Sequence, residues 1–446
     1  MQSVWSDTGA PPVFPSLGTN AKTDVLIIGG GMAGVLCGYF LRRAGVDCVI
    51  AEGGSVGGGV TKNTTAKITA QHGLFYARLL QNAGAEKAKA YLDANQAAVE
   101  KFKELAGEIP CSLEIKPSFV YSTSQRNAGN EIEREVRAVN RLGTNAKLVQ
   151  KIPLPFKTAG AVMFEGQAQF NPLEFLYGAA RGLTVYQDTF VERLRLFKEH
   201  PRNIIAVTNR GLIKARRVII ATHFPFLNKY GGYFLKMYQH RSYVLALANA
   251  GDVNGMYLGA SNAGTGLSFR NYGELLLIGG GGHRTGEHRS EGGWDSLRQF
   301  ARRHYPNAVE KYAWASQDCM TLDGVPYIGQ YSGSTPDIYV ATGFNKWGMS
   351  GSMTAAMVLT AMLTGQKSRH FEVFSPQRNP LKPQLAFNAA KAVVNLLTPS
   401  QTRCPHMGCA LKWNPSEGSW DCPCHGSRFS KDGGVIDNPA MRGLYE

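Results

Sequence analysis

The stretch from Asp24 to Glu52 restricts the fold more than any other. Asp24-Val-Leu-Ile-Ile reads as a short apolar strand, Met32–Arg43 has helical spacing, and Asp47-Cys-Val-Ile-Ala-Glu52 reads as a second strand. Between the first strand and the helix stand Gly29, Gly31 and Gly34 in G-x-G-x-x-G spacing. A β-α-β unit of this kind belongs to a parallel sheet. Gly29 permits a tight turn, Gly31 lets backbone approach a pyrophosphate, and Gly34 lets helix and strand pack closely. The helix N-terminus turns unpaired N–H groups and the positive end of its dipole toward the phosphates. Glu52 ends the second strand, where a carboxylate can accept from a pair of ribose hydroxyls. A glycine fingerprint alone is also found in ordinary turns. With strand, helix and terminal acid in register it predicts a dinucleotide site, and spacing alone leaves FAD and NAD both open.

The second constraint lies at the tail. Of the 8 cysteines, Cys37, Cys48, Cys111 and Cys319 are scattered, whereas Cys404, Cys409, Cys422 and Cys424 crowd together. A local cluster in a chain expected to be cytoplasmic points to a metal site. Its core is Cys404-x-His406 followed by Cys422-x-x-His425. Two thiolates on one iron and two imidazoles on the other make a Rieske 2Fe-2S centre. Neutral imidazoles lower the negative charge around the outer iron and raise its potential. A Cys2His2 zinc site is the rival reading, since zinc takes the same ligands. Zinc leaves unexplained why Cys409 and Cys424 sit one in each loop.

With 446 residues the chain should form two or three domains. Its net charge of +15 favours anionic cofactors or acidic partners. The polar, proline-broken N-terminus predicts a cytoplasmic location. Val25–Leu41 and Met349–Gly365 are uncharged, yet short and rich in small residues, so no membrane span is expected. The basic runs Arg193–Arg202 and Arg210–Arg217 lack the aromatic platforms of a nucleic-acid surface, and no nucleic-acid partner is expected. Gly84–Leu105 and Ala128–Leu142 are amphipathic helices by spacing, and Arg241–Gly282 reads as a mainly antiparallel layer. Residues 371–400 are proline-rich with a weak helix and read as a tether.

Four further motifs carry a resemblance: GGGVTKNTTAKITAQHG (Gly57–Gly73), RRVIIATH (Arg216–His223), TLDGVPYIG (Thr321–Gly329) and ATGFNKWGMSGS (Ala341–Ser352). In this order they resemble the FAD-dependent oxidoreductases of the D-amino-acid oxidase superfamily, which includes glycine and sarcosine oxidases. The resemblance implies an α/β fold: a discontinuous Rossmann-type FAD domain (1–90, 155–225 and 318–370) with an inserted α+β substrate domain (91–154 and 226–317). A linker (371–400) and a small all-β Rieske module (401–446) would follow. It also implies that Thr64 and Thr65 lie along FAD and that Val191 touches the adenine through its backbone. Gly343, Gly348 and Met349 would run beneath the flavin ring, with a helix N-terminus near its pyrimidine side. The tail resembles Rieske proteins of the cytochrome bc type, in which the cysteines matching Cys409 and Cys424 form a disulfide. Those proteins carry strands ahead of the first ligand loop. Here the tether runs almost directly into Cys404, so the module is expected either to use the flavin domain as its base or to hold iron poorly.

Amino-acid oxidases of the superfamily commonly hold the substrate carboxylate with an arginine upstream of D-G-x-P. That position falls on Asp318, which reverses the charge and predicts an amine or another cationic group as substrate; the alternative is a solvated loop acid or a partner of a nearby arginine. Lys346, in the turn before the flavin-facing glycine, and Arg270 are further candidates for the reaction. Tyr243 could line the pocket, His72 could face the flavin, and Cys319 reads as a buried free thiol. The expected function is dehydrogenation of an amine or amino-acid derivative by FAD, with electrons passing to the Rieske centre and on to an unidentified acceptor. The alternatives are an oxidase that makes H2O2 beside a structural cluster, or a redox sensor or carrier without an organic substrate.

Overall fold

The computed structural model describes residues 2–124, 128–197, 203–260, 266–287, 293–366 and 369–445. The end of the basic run Arg193–Arg202 lies outside the described residues. Strand β1 (Ala21–Ile28) turns through Gly29 into helix α1 (Met32–Arg43), and β2 (Cys48–Ala51) returns parallel to β1 with Val25 opposite Cys48. Strand β3 (Leu212–Ile220) lies parallel on the other side of β1. The long strands β4 (Met237–Ala248) and β5 (Val309–Thr321) pair antiparallel. Strand β6 (Ile338–Thr342) is parallel to β3, and helices α2 (Gly348–Leu363) and α3 (Pro383–Leu397) follow.

Three sheets result among the described residues. The first has eight strands and a parallel centre, β6-β3-β1-β2. Val25 to Ile28 are buried, as expected of a strand covered on both faces. Each such side chain contributes roughly 1.5–3 kcal/mol. Helices α1 and α2 pack together on one face. Gly34 makes the turn possible, because a Cβ there would stand 1.8 Å from the Gly29 carbonyl oxygen. Since β1, β2, β3 and β6 are parallel, Gly29, Glu52, Ala221 and Gly343 all fall on one edge of this sheet.

The second sheet has nine strands, mostly antiparallel, and contains β4 and β5. One boundary differs from the sequence expectation. Residues 155–170, assigned there to the FAD domain, include Gly160–Gln169, which pairs with Glu114–Ser122 in the second sheet. The pairing is made to a strand about forty residues upstream, and local pattern carries no record of it.

The third sheet is a four-stranded antiparallel meander from Lys412 to Asp437. The segment expected as a tether does not hang free. Helix α3 is held inward by Asn388, whose side chain donates to the Leu235 carbonyl at 3.1 Å and accepts from Arg284 at 3.0 Å. The meander itself rests on β4, through Glu417. This buried carboxylate accepts from Arg241 Nε of β4 at 3.0 Å, Tyr243 Oη at 2.9 Å and Arg428 Nη2 of the meander at 2.8 Å. The two guanidinium groups hold the Glu417 carboxyl below its ordinary value despite burial.

Replacing Glu417 leaves Arg241 and Arg428 buried without their shared anion. Glu417→Ala should cost roughly 3–5 kcal/mol in urea unfolding. Asp93→Ala, which breaks an exposed pair with Lys89, should stay within about 0.5 kcal/mol. Equal costs would mean that the clamp does not hold the meander down.

Candidate functional site

The glycine turn and Glu52 meet at the edge of the first sheet. Glu52 Oε2 accepts from Gly30 N at 2.6 Å and Oε1 from Gly54 N at 2.8 Å, which fixes the acid at the mouth of the turn. A Cβ on Gly31 would have only Thr61 Oγ1 nearby, at 3.4 Å, so this face is open to a ligand. Thr61 is a residue sequence reading missed: its hydroxyl accepts from Met32 N at 3.1 Å in the first turn of α1. Val191 starts the strand that follows Thr189, whose N–H donates to the Glu52 carbonyl at 2.9 Å. The turn, the acid and Val191 therefore share one edge.

Beyond this edge lies a cavity of about 890 Å³. Thr64, Thr65, Gly348 and Met349 line it. Gly343 sits in the turn beneath, with φ +71°, and a Cβ there would come 2.3 Å from Thr321 Cγ2. Asn345 and Lys346 also have positive φ, 51° and 74°, so the chain coils tightly before α2. No side chain caps the N-terminus of α2, which leaves its first N–H groups available. Those groups and the positive dipole end suit a flavin ring that gains negative charge when reduced.

Two of the three reaction candidates, Asp318 and Lys346, line the cavity. Burial lifts the Asp318 carboxyl above its ordinary value, opposed by Lys346, His223 and Arg241. Burial likewise lowers the Lys346 amine, opposed by Asp318. Arg270 is not brought to the cavity. It is buried behind it, where Nη1 donates to the Ala66 carbonyl at 2.7 Å and the guanidinium lies 5.4 Å from the Trp5 ring centre. Tyr243 reaches the lining, but its hydroxyl is taken by Glu417. His72 lines the cavity with both ring nitrogens bonded, Nδ1 to Tyr91 at 2.7 Å and Nε2 to Thr69 at 2.9 Å. Cys319 is a buried free thiol.

Lys67 also lines the cavity and was not a candidate. Its Nζ donates to the Tyr257 carbonyl at 2.8 Å and to Ser268 Oγ at 2.5 Å. Burial first, and Arg270 second, push its amine down to about 7. Only the fold removes its water.

The cysteine loops come together at the tail. The Cys404 and Cys422 thiols are hydrogen-bonded, and the sulfurs of Cys409, Cys422 and Cys424 lie within 4.8 Å of one another. The expected Cys409–Cys424 disulfide is not present: both are free thiols, neighbours rather than a bonded pair. The imidazoles of His406 and His425 face each other with ring centres 5.0 Å apart. Both Nδ1 atoms are buried without a partner. A buried ring nitrogen is costly to leave unpaired, and four thiols beside two such atoms fit an iron-sulfur cluster. Burial holds both rings neutral, with His406 pushed down to about 4 and His425 to about 3.

The two sites stand on opposite faces of one wall. Along β4, Tyr238, His240, Ser242 and Val244 line the cavity, and along β5, Ser316, Asp318 and Met320 do. Between them, Gln239 and Gln317 face the cluster loops. Gln239 Nε2 donates to the His425 carbonyl at 3.0 Å, and Gln317 Nε2 to the Gly426 carbonyl at 2.8 Å. Gly426 has φ +86°, and a Cβ there would meet Gln239 Cβ at 2.5 Å, so the loop lies directly on the strand. His425 is thus held against the rear of the cavity wall.

Comparison with known proteins bears on both sites. A family model described as FAD dependent oxidoreductase matches residues 24–362, and one described as Rieske [2Fe-2S] domain matches residues 394–446. The whole chain is 32% identical to YhfW of Bacillus subtilis (strain 168), by its name a Rieske 2Fe-2S iron-sulfur protein, and covers 97% of it. A tail segment is 51% identical over 37 residues to cytochrome b6-f complex iron-sulfur subunit 3 of Nostoc sp., 8% of this chain and 21% of that one. Glycine oxidase from Geobacillus kaustophilus shares the fold with TM-score 0.66 and 20% identity, over 80% of this chain and 99% of that one. L-proline dehydrogenase from P. horikoshii does so with TM-score 0.67 and 18% identity, over 80% and 98%.

Lys67 makes a pH test possible. The folded chain releases its proton at about 7, whereas an unfolded lysine keeps it to about 10.5. Between these values the unfolded state binds more protons, so this residue makes stability rise with pH. In urea unfolding, Lys67→Met should therefore gain most over the parent near pH 7, with the gain shrinking toward about pH 10. A constant difference would mean that Lys67 stays charged in the fold.

Proposed function

The chain belongs to the FAD dependent oxidoreductase family and carries a C-terminal Rieske [2Fe-2S] domain, and from this we propose that it dehydrogenates a small amine or amino-acid-like substrate and passes the electrons to its own iron-sulfur centre. From there they leave to an external acceptor. One observation carries the reading: the cavity and the His425 loop share the β4–β5 wall, with alternate side chains serving each. Bound FAD would supply a two-electron acceptor, and the cluster a one-electron carrier.

The cluster would be held by Cys404 and Cys422 on one side and by His406 and His425 on the other. The two unpartnered Nδ1 atoms support this set. In the cavity, Asp318 would attract a cationic ammonium group, with Lys346 as its counter-charge when substrate is absent. The ammonium must lose a proton before its C–H bond can yield hydride. Neutral Lys67 has both N–H groups engaged with Tyr257 and Ser268, which leaves its lone pair to take that proton. The relatives' names agree with a small amino-acid or amine substrate, glycine and L-proline among them.

The test is an anaerobic titration of the holoprotein with a panel of amines and amino acids. A turning-over substrate should first bleach the flavin and then produce the electron paramagnetic resonance signal of the reduced cluster. His406→Ala should keep the first phase, lose the second, and lower dye reduction by at least ~10-fold. Hydrogen peroxide formed in step with substrate, equally in both proteins, would assign the electrons to oxygen and sink the internal relay.

A further inference from the structure

Helix α3 is amphipathic in the reverse of the usual sense. A surface helix normally turns its apolar stripe inward. Here Asn388 and Asn395 are the buried residues, 4% and 5% exposed. Ala386, Phe387, Ala390, Val393, Val394 and Leu397, spaced as one helical face, point outward. Val394 is 61% and Leu397 77% exposed. Leu381, just before the helix, is also exposed, as is Met407 in the first ligand loop. A contiguous apolar face of this length marks a binding surface.

Charge indicates what binds there. From Val373 to Ser416 the chain has no Asp or Glu, but it carries Arg378, Lys382, Lys391, Arg403 and Lys412. Arg378 and Lys391 pair with Asp323 and Glu287, and Lys382 lines the cavity near Asp323, which leaves Arg403 and Lys412 as the basic margin. The whole chain is at +15. Two copies meeting through this face would bring like charges together. An anionic lipid surface would meet both the apolar stripe and the cations. No helix among the described residues is long and apolar enough to cross a membrane, so α3 would lie in the headgroup plane.

We propose that α3 docks this protein on an anionic membrane surface. The cluster module comes with it. Asn395 O accepts from Ala410 N at 3.0 Å and Leu396 O from Arg403 Nη1 at 3.2 Å, which ties the end of α3 to the first ligand loop. The surface would then supply a lipid-soluble acceptor of the quinone class. That last step rests on the electron-transfer reading; the docking itself does not.

The holoprotein is sedimented with vesicles of phosphatidylcholine alone and of phosphatidylcholine with phosphatidylglycerol, at low and high salt. It should pellet with the anionic vesicles, and less so as salt rises. The double variant Val394→Asp/Leu397→Asp should lose this binding by roughly tenfold or more. Its soluble dye reduction and cluster spectrum should be unchanged, and Val394→Ser/Leu397→Ser should give the same result without added charge. Absent pelleting, or equal pelleting of parent and variants, overturns the proposal. So does a parent that runs as a dimer in solution and becomes a monomer in the variants, which would assign the face to a second copy. Vesicle binding is read without substrate, so it stands or fails separately from the redox chemistry.

Discussion

The structure turns on a pair of buried amides. Gln239 and Gln317 leave neighbouring strands on the same face, and the Gln317 amide donates to Gln239 Oε1 at 2.7 Å. Gln239 Nε2 also reaches the Asn438 carbonyl at 2.7 Å, and Gln317 Oε1 accepts from Thr285 at 2.9 Å. A buried primary amide is costly unless its donors and acceptor are used. The bonds to the His425 and Gly426 carbonyls complete the pair, and they exist only when the Cys422–Gly426 loop is in place. The loop's position is therefore a hydrogen-bonding requirement of the sheet beneath it, and apolar contact alone would not specify it. The Glu417 clamp acts in the same sense at the next turn of the wall.

That requirement explains how so small a module can stand without the strands that Rieske proteins of the cytochrome bc type place before their first loop. The meander from Lys412 to Asp437 has few buried apolar residues of its own. Strand β4 takes the place of a base, and α3 closes the side. One consequence is that the imidazole end is not bare. His406 Nε2 bonds to Asn228 Oδ1 at 3.0 Å, and the His425 ring packs edge-on against Phe234. The histidines therefore face the segment that leads into β4.

Much of this was legible in the sequence because its cause is local. A glycine fingerprint between strand and helix has one backbone solution, and Gly29, Gly34 and Glu52 take it. The cysteine and histidine spacing needs only two tight turns to bring its side chains together. Other features were not legible. Arg270 read as a pocket residue, yet its strand presents it to Trp5 and Ala66. Lys67 and Thr61 were not singled out, because their roles depend on partners outside their own segment. The outward apolar face of α3 was hidden for the same reason: its spacing is that of any packed helix, and only the position of Asn388 and Asn395 fixes which side is inside.

From sequence alone came the dinucleotide chemistry of the glycine turn and the iron-sulfur chemistry of the tail, with the choice of FAD over NAD supplied only by the resemblance. Both rest on short-range geometry: which residues a turn allows, and which ligands a loop can bring to one metal. The tertiary structure alone decided that the two sites share a wall. Alternation along a strand sends side chains to opposite faces, but it does not say what lies on either side. That depends on β4 and β5 pairing across some seventy residues and on a tail that closes over them, contacts whose energy exists only once the chain is folded.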